Sequence, residues 1–236
     1  MSAGAWVQDI AQAATSLSSV PLTVGTTVVS DNLIIVRANS ITAVGPTDCS
    51  ISDNGPGYIW NQVAYSGSSG IGAGSRTWIF YTIASSGLAS GSTITALFLN
   101  TQGYGNIVTA SEYSGPFLPS PFDKTVHADI SSSTAVASGT TSTLLQASEL
   151  GICAVTFFGM TSQTLTGTNG WTSRAVSFVS GGDGLSSLDK VVSSTTGLQA
   201  TGTFGTASNG GALLATFMLS TNPYPVGYPP RSRAWW

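Results

Sequence analysis

The chain has 236 residues, 42% of them apolar and only 7% charged, and its net charge of −3 comes from ten acids and seven bases. That balance excludes a disordered chain, which combines low hydrophobicity with high charge. It also excludes a nucleic-acid surface, because the two Lys and five Arg are scattered, apart from Arg231 and Arg233.

The opening segment AWVQDIAQAATSL fits two forms. Trp6, Ile10, Ala14 and Leu17 lie near helical spacing, yet the same stretch alternates well enough to be a strand. Residues 1–29 are therefore read as an N-terminal arm or first strand. The start MSAGAWVQDI lacks a basic region leading into an apolar one, so no secretory signal is expected. No apolar run reaches the roughly 18–20 residues of a membrane span, so no membrane insertion is expected either.

From residue 20 onward, β-branched and aromatic runs recur between turn signals. The expected strands are Val20–Val24, Leu33–Ala38, Tyr58–Tyr65, Thr77–Ile83, Thr93–Leu99 and Ile107–Tyr113, then Gly151–Phe158, Thr172–Phe178, Leu188–Val192 and Leu213–Leu219. Turns such as DNG, SGSSG, TQGYG and SGGDG separate them. Ser66–Arg76 reads as the exposed tip of a long hairpin. Its core GSSGIGAGS is rich in glycine but joins two strands and opens no helix, so it lacks the means to cradle a phosphate.

The two halves echo each other. SDNLIIVRA at Ser30–Ala38 is answered by SELGICAVT at Ser148–Thr156, and DNGPGYIWNQVAY by GTNGWTSRAVSF. The expected fold is therefore all-β: an antiparallel, jelly-roll-like β-sandwich over residues 30–219, with extended arms at both ends. It would be built from two similar β-meanders, about 30–113 and 127–219. The joint Ser114–Val126 carries three prolines and reads as stiff and extended. Residues 220–236 form a Pro-rich C-terminal arm that ends in Trp235 and Trp236 and cannot run as a central strand. Exposed, it would be adhesive. The candidate docking residues are Tyr224, Tyr228, Arg231, Arg233, Trp235 and Trp236.

Candidate chemistry is sparse. The single histidine, His127, sits two residues before Asp129, so a strand would put both on one face. No nucleophile elbow accompanies them, and a structural surface His is the simpler reading. Glu112 and Glu149 are the only glutamates, and Glu112, before a Gly turn, is better suited to accepting turn amides than to acid–base work. No catalytic residue, cofactor or metal site is assigned. Cys49 and Cys153 are too few for a disulfide framework, and Cys153, inside an apolar run, is expected to be a buried thiol. Tyr58, Trp60 and Trp78 could form a sugar-stacking platform or pack in the core, and their place in the echo favours packing.

The ordered segments DNLIIVRA, ISDNGPGYIWNQVA, RTWIFYTIASSGLASGSTITALF, VTASEYSGP, PFDKTVHA, ELGICAVTFFG and TGTNGWTSRA resemble a Gly/Ser/Thr-rich β-sandwich module of bacteriophage virion proteins, over roughly Ser30 to Leu219. EYSG at Glu112–Gly115 fits it well, whereas SDNGPGYIW departs from it by an inserted Pro-Gly. The resemblance implies a non-catalytic virion structural protein of the siphophage minor tail type, made in the host cytoplasm. Its partners would be other virion proteins or copies of itself. Alternatives are a capsid decoration protein, or a carbohydrate-binding or host-adhesion module with a host surface glycan as ligand.

Overall fold

The two central apolar runs become the middle strands of two large sheets in a computed structural model of the protein. The structure describes residues 2–42, 48–68, 74–99, 103–174, 176–179 and 182–220. Its described strands are β1 (Trp6–Thr15), β2 (Ser19–Thr23), β3 (Leu33–Thr42), β4 (Asp48–Asp53), β5 (Asn61–Ser68), β6 (Gly74–Ile83), β7 (Thr93–Leu99) and β8 (Gly103–Tyr113) in the first unit. The second contains β9 (Phe117–Thr140), β10 (Ser148–Phe158), β11 (Leu165–Gly167), β12 (Thr172–Ser173), β13 (Ser177–Val179), β14 (Asp183–Ser193) and β15 (Gln199–Leu219).

The fold is an all-β antiparallel sandwich. In the first unit a five-stranded sheet, β1-β8-β3-β6-β5, faces a three-stranded sheet, β2-β7-β4. This is the interleaved winding of a jelly roll. It is not a meander, because only β5 and β6 are neighbours in both sequence and sheet. The second unit repeats the pattern pair for pair. Its strands form one continuous seven-stranded sheet with a large layer, β9-β15-β10-β14 with β12 and β13, and a small layer in which the far ends of β9 and β15 meet β11. The difference lies in continuity. β9 and β15 each pass through both layers, where the first unit uses the separate pairs β1/β2 and β7/β8.

Three cores follow. Ile34, Val36, Trp78, Phe80, Ile94 and Phe98 fill the first sandwich. Cys153, Val155, Phe157, Trp171, Leu188 and Phe204 fill the second. Between them the two large sheets pack face to face, Leu33, Ile35, Ile79 and Ile107 against Leu150, Ile152, Leu213 and Phe217. β3 and β10 are thus covered on both faces, which is why they are near-continuous apolar runs. The echo holds in topology but slips by one in register. Aligned letter for letter, Ile34 meets Ile152, yet Ile34 faces its own sandwich and Ile152 faces the seam between units. A one-residue shift exchanges the two faces of a strand.

Several sequence expectations change. Of the two forms read for residues 1–29, the strand holds and the arm does not: residues 6–15 and 19–23 are edge strands of the two sheets, because Ile10, Val20 and Leu22 enter the core. Tyr58–Trp60 precede β5, and Thr172–Phe178 divides into β12 and β13. The joint Ser114–Val126 is largely strand: Pro119 and Pro121 sit in β9, which among the described residues is an edge strand paired with β15 alone, where a missing amide is tolerated. β15 bends between layers near Ser208–Gly210, where the register shifts. A Cβ on Gly210 would lie 1.9 Å from the Thr156 carbonyl oxygen, so the close strand approach requires glycine. The tip of Ser66–Arg76 and the candidate arm residues Tyr224, Tyr228, Arg231, Arg233, Trp235 and Trp236 lie outside the described residues.

Candidate functional site

In a chain with so few charges, most of the described carboxylates are bound by neighbouring donors. Asp53 at the end of β4 accepts the Gly55 and Gly57 amides on Oδ1 (3.1 and 3.0 Å), and the Tyr58 amide and Trp60 Nε1 on Oδ2 (2.9 and 3.0 Å). That clasp shapes the loop before β5 and pulls Trp60 onto the core. Tyr58 is likewise half-buried and donates its hydroxyl to the Gly87 carbonyl at 2.5 Å. Trp78 is only 1% exposed and packs edge-on to Phe98. It presents no face to a sugar, because alternation on β6 turns it into the first core.

Glu112 is fully buried on β8. It accepts from Gln8 Nε2 (2.6 Å), the Val29 amide (2.8 Å) and Asn32 Nδ2 (2.5 Å), fastening the β2–β3 connection to the sheet. His127 and Asp129 stand exposed on one face of β9 in the other unit. Glu112 is thus enclosed in one unit while the His127/Asp129 pair lies on the surface of the other. Cys49 and Cys153 are free, buried thiols in different cores, and burial pushes both pKa values up.

Polar chemistry concentrates at the seam between units. Arg37, 1% exposed at the middle of β3, donates Nε to Thr109 Oγ1 (3.0 Å) and Nη2 to the Ser111 hydroxyl. Ser111 donates in turn to Asp9 Oδ1 at 2.8 Å, and Trp6 Nε1 reaches the same oxygen at 3.4 Å. Tyr113, whose pKa burial pushes up, donates to Asp189 Oδ2 across the seam at 3.2 Å. Asp189 also accepts Arg174 Nε on Oδ2 (2.6 Å) and Nη2 on Oδ1 (3.0 Å). The Arg174 guanidinium carbon stacks 4.7 Å from the Trp6 ring centroid. Two arginines and two aspartates therefore balance, and each unit supplies part of the set. On its solvent side this network opens into a cleft of ≈ 360 Å³, lined by Gly4, Trp6, Thr172, Arg174, Lys190 and Val191 among others.

A second polar group sits at the far end of β10. Burial raises the Glu149 pKa to about 7, and the adjoining Asp123 carboxylate adds to the shift. Burial alone would raise Asp123 too, but donors from Lys124, the Leu145 amide and Glu149 outweigh it and hold that carboxyl below its ordinary value. Glu149 is thus protonated in mild acid and donates to Asp123. Folding binds a proton on Glu149 that the unfolded chain releases above 4.5, so this stabilisation is complete below that pH and is lost as pH rises through about 7. The unfolding free energy measured in urea is expected to fall across that interval, with a slope of up to about 1.4 kcal/mol per pH unit. Glu149→Gln should flatten the slope. An unchanged slope in the variant would place the titration elsewhere.

Of the residues singled out in sequence, Glu112 and Trp60 prove to be parts of the framework. Trp6, Arg174 and Asp189 were missed. For Asp189 the signal was a charge in an apolar strand pattern, SSLDKVV, which must find a partner when buried. No protein-family model, curated protein or solved structure matches the chain.

Proposed function

We propose that this chain is a non-catalytic structural protein of a bacteriophage virion, of the minor tail protein type, assembled through its β surfaces and its C-terminal arm. The observation that carries this reading is the use of the polar groups. Glu112 and Asp53 fasten loops, and Asp189 and Arg174 fasten one jelly-roll unit to the other. The virion-like segments fall on the elements that build those units: DNLIIVRA on β3, RTWIFYTI on β6, VTASEY on β8 and ELGICAVTFF on β10. The low charge of the whole chain suits close, permanent packing against other virion proteins or copies of itself.

The test is deletion of residues 223–236. The truncated protein is expected to melt like the full chain but to lose its place in particles, and by light scattering to lose any self-association. A folded truncation that still enters particles overturns the assignment of the arm as the joint.

A further inference from the structure

The cleft at the seam has the makings of a binding site: besides Arg174 and Asp189, which fasten the units, its lining includes Trp6, Lys190 and Val191, to which assembly assigns no role. It is formed where the units meet, with Gly4–Trp6 from the first and Gly170, Thr172, Arg174 and Asp189–Val191 from the second. Such junctions are favoured places for ligands, and the ≈ 360 Å³ volume lies in the range of about 300–1,000 Å³ typical of ligand clefts.

Its chemistry is lopsided toward donors. Both Asp189 oxygens already accept, one from Arg174 and the other from Arg174 and Tyr113. Arg174 commits Nε and Nη2 to that carboxylate, and Nη1 makes no hydrogen bond among the described residues. Lys190 gives one of its three ammonium hydrogens to the Asn169 carbonyl, at 2.7 Å. The lining therefore carries one cation more than anions, on a protein that is acidic overall. Beside these donors lie flat and apolar surfaces, Trp6 at 37% exposure and Val191 at 47%. The Trp6 ring is held in place by the stacked guanidinium, and Arg174 by its two bonds to Asp189, so the site is preorganised.

We infer that this cleft binds an acidic saccharide, a pyranose whose carboxylate meets Lys190 and Arg174 while its ring packs against the part of the Trp6 indole that the guanidinium leaves uncovered. A free anion would use the cations and leave the aromatic face idle. A neutral sugar would use the face and leave the surplus charge unanswered. The inference is independent of the assembly role and concerns different residues from the arm.

The experiment is calorimetric titration of the full chain with glucuronate, galacturonate and N-acetylneuraminate, with glucose and acetate as controls. At least one acidic sugar is expected to bind saturably and more tightly than either control. Lys190→Gln and Trp6→Ala should each weaken that binding by about tenfold or more, the worth of a charge-assisted hydrogen bond or a stacked ring. Lys190 is half-buried at the rim, so K190Q should melt like the parent and keeps the test valid if W6A folds poorly. No saturable binding overturns the inference. Glucose or acetate binding as tightly as the acidic sugars overturns the ligand class. Acidic-sugar binding unaffected by K190Q overturns the placement.

Discussion

Asp189→Ala is expected to cost about 3–5 kcal/mol, the range for removing one partner of a buried ion pair. The side chain is 5% exposed as a residue and receives three hydrogen bonds. Without it the Arg174 guanidinium loses its paired carboxylate, and the buried Tyr113 hydroxyl loses its acceptor. Because Tyr113 belongs to one unit and Asp189 to the other, the loss should fall on their docking as well as on global stability. Urea unfolding at fixed pH reads the cost. A second variant separates burial from attraction: Asp189→Leu combined with Arg174→Met should recover much of the loss, since a paired replacement leaves no isolated charge. A loss of under about 1 kcal/mol for Asp189→Ala would mean that the pair behaves as an exposed one, and the seam network would then contribute little.

Trp78→Ala should be comparably damaging, at about 3–5 kcal/mol. Its ring is among the largest fully buried side chains and meets Phe98 with centroids 5.9 Å apart at 63°. Truncation removes that edge contact and leaves a void between β6 and β7, in a core too densely packed to close over it. Trp78→Phe, which keeps a ring, should cost distinctly less. The same variant bears on function. A tryptophan placed to stack on sugars could be removed with little loss of stability, so a mild Trp78→Ala would contradict its interior placement.

How far sequence revealed this molecule depended on where the apolar residues were concentrated. β3 and β10 were legible because both of their faces are covered, which demands consecutive apolar side chains. β9 and β15 were mostly illegible. ISSSTAVASG and QATGTFGTASNGG contain few large side chains, and what orders them is backbone pairing along a 24-residue and a 21-residue strand. Composition does not report such pairing. The repeat was visible as an echo of motifs, but its register was not, because the alternation of faces is lost in a run that is apolar throughout. The seam site was hidden for a different reason. Trp6, Tyr113, Arg174 and Asp189 are scattered along the chain and look isolated until the two sheets are laid face to face.

The continuity of β9 and β15 has a mechanical consequence. β15 ends at Leu219, and the start of β9 lies beside that end, with Phe117 opposite Leu219. Tension applied at Ser220 along β15 would pull that strand lengthwise between β9 and β10. The hydrogen bonds on both sides would then be loaded in shear, many at once, and could not open one after another like a zipper. Forced unfolding is governed by a rate and not by an equilibrium, so a chain gripped at that end would resist rupture more than its equilibrium stability alone suggests. The first unit, with its strands divided, offers no such line of force.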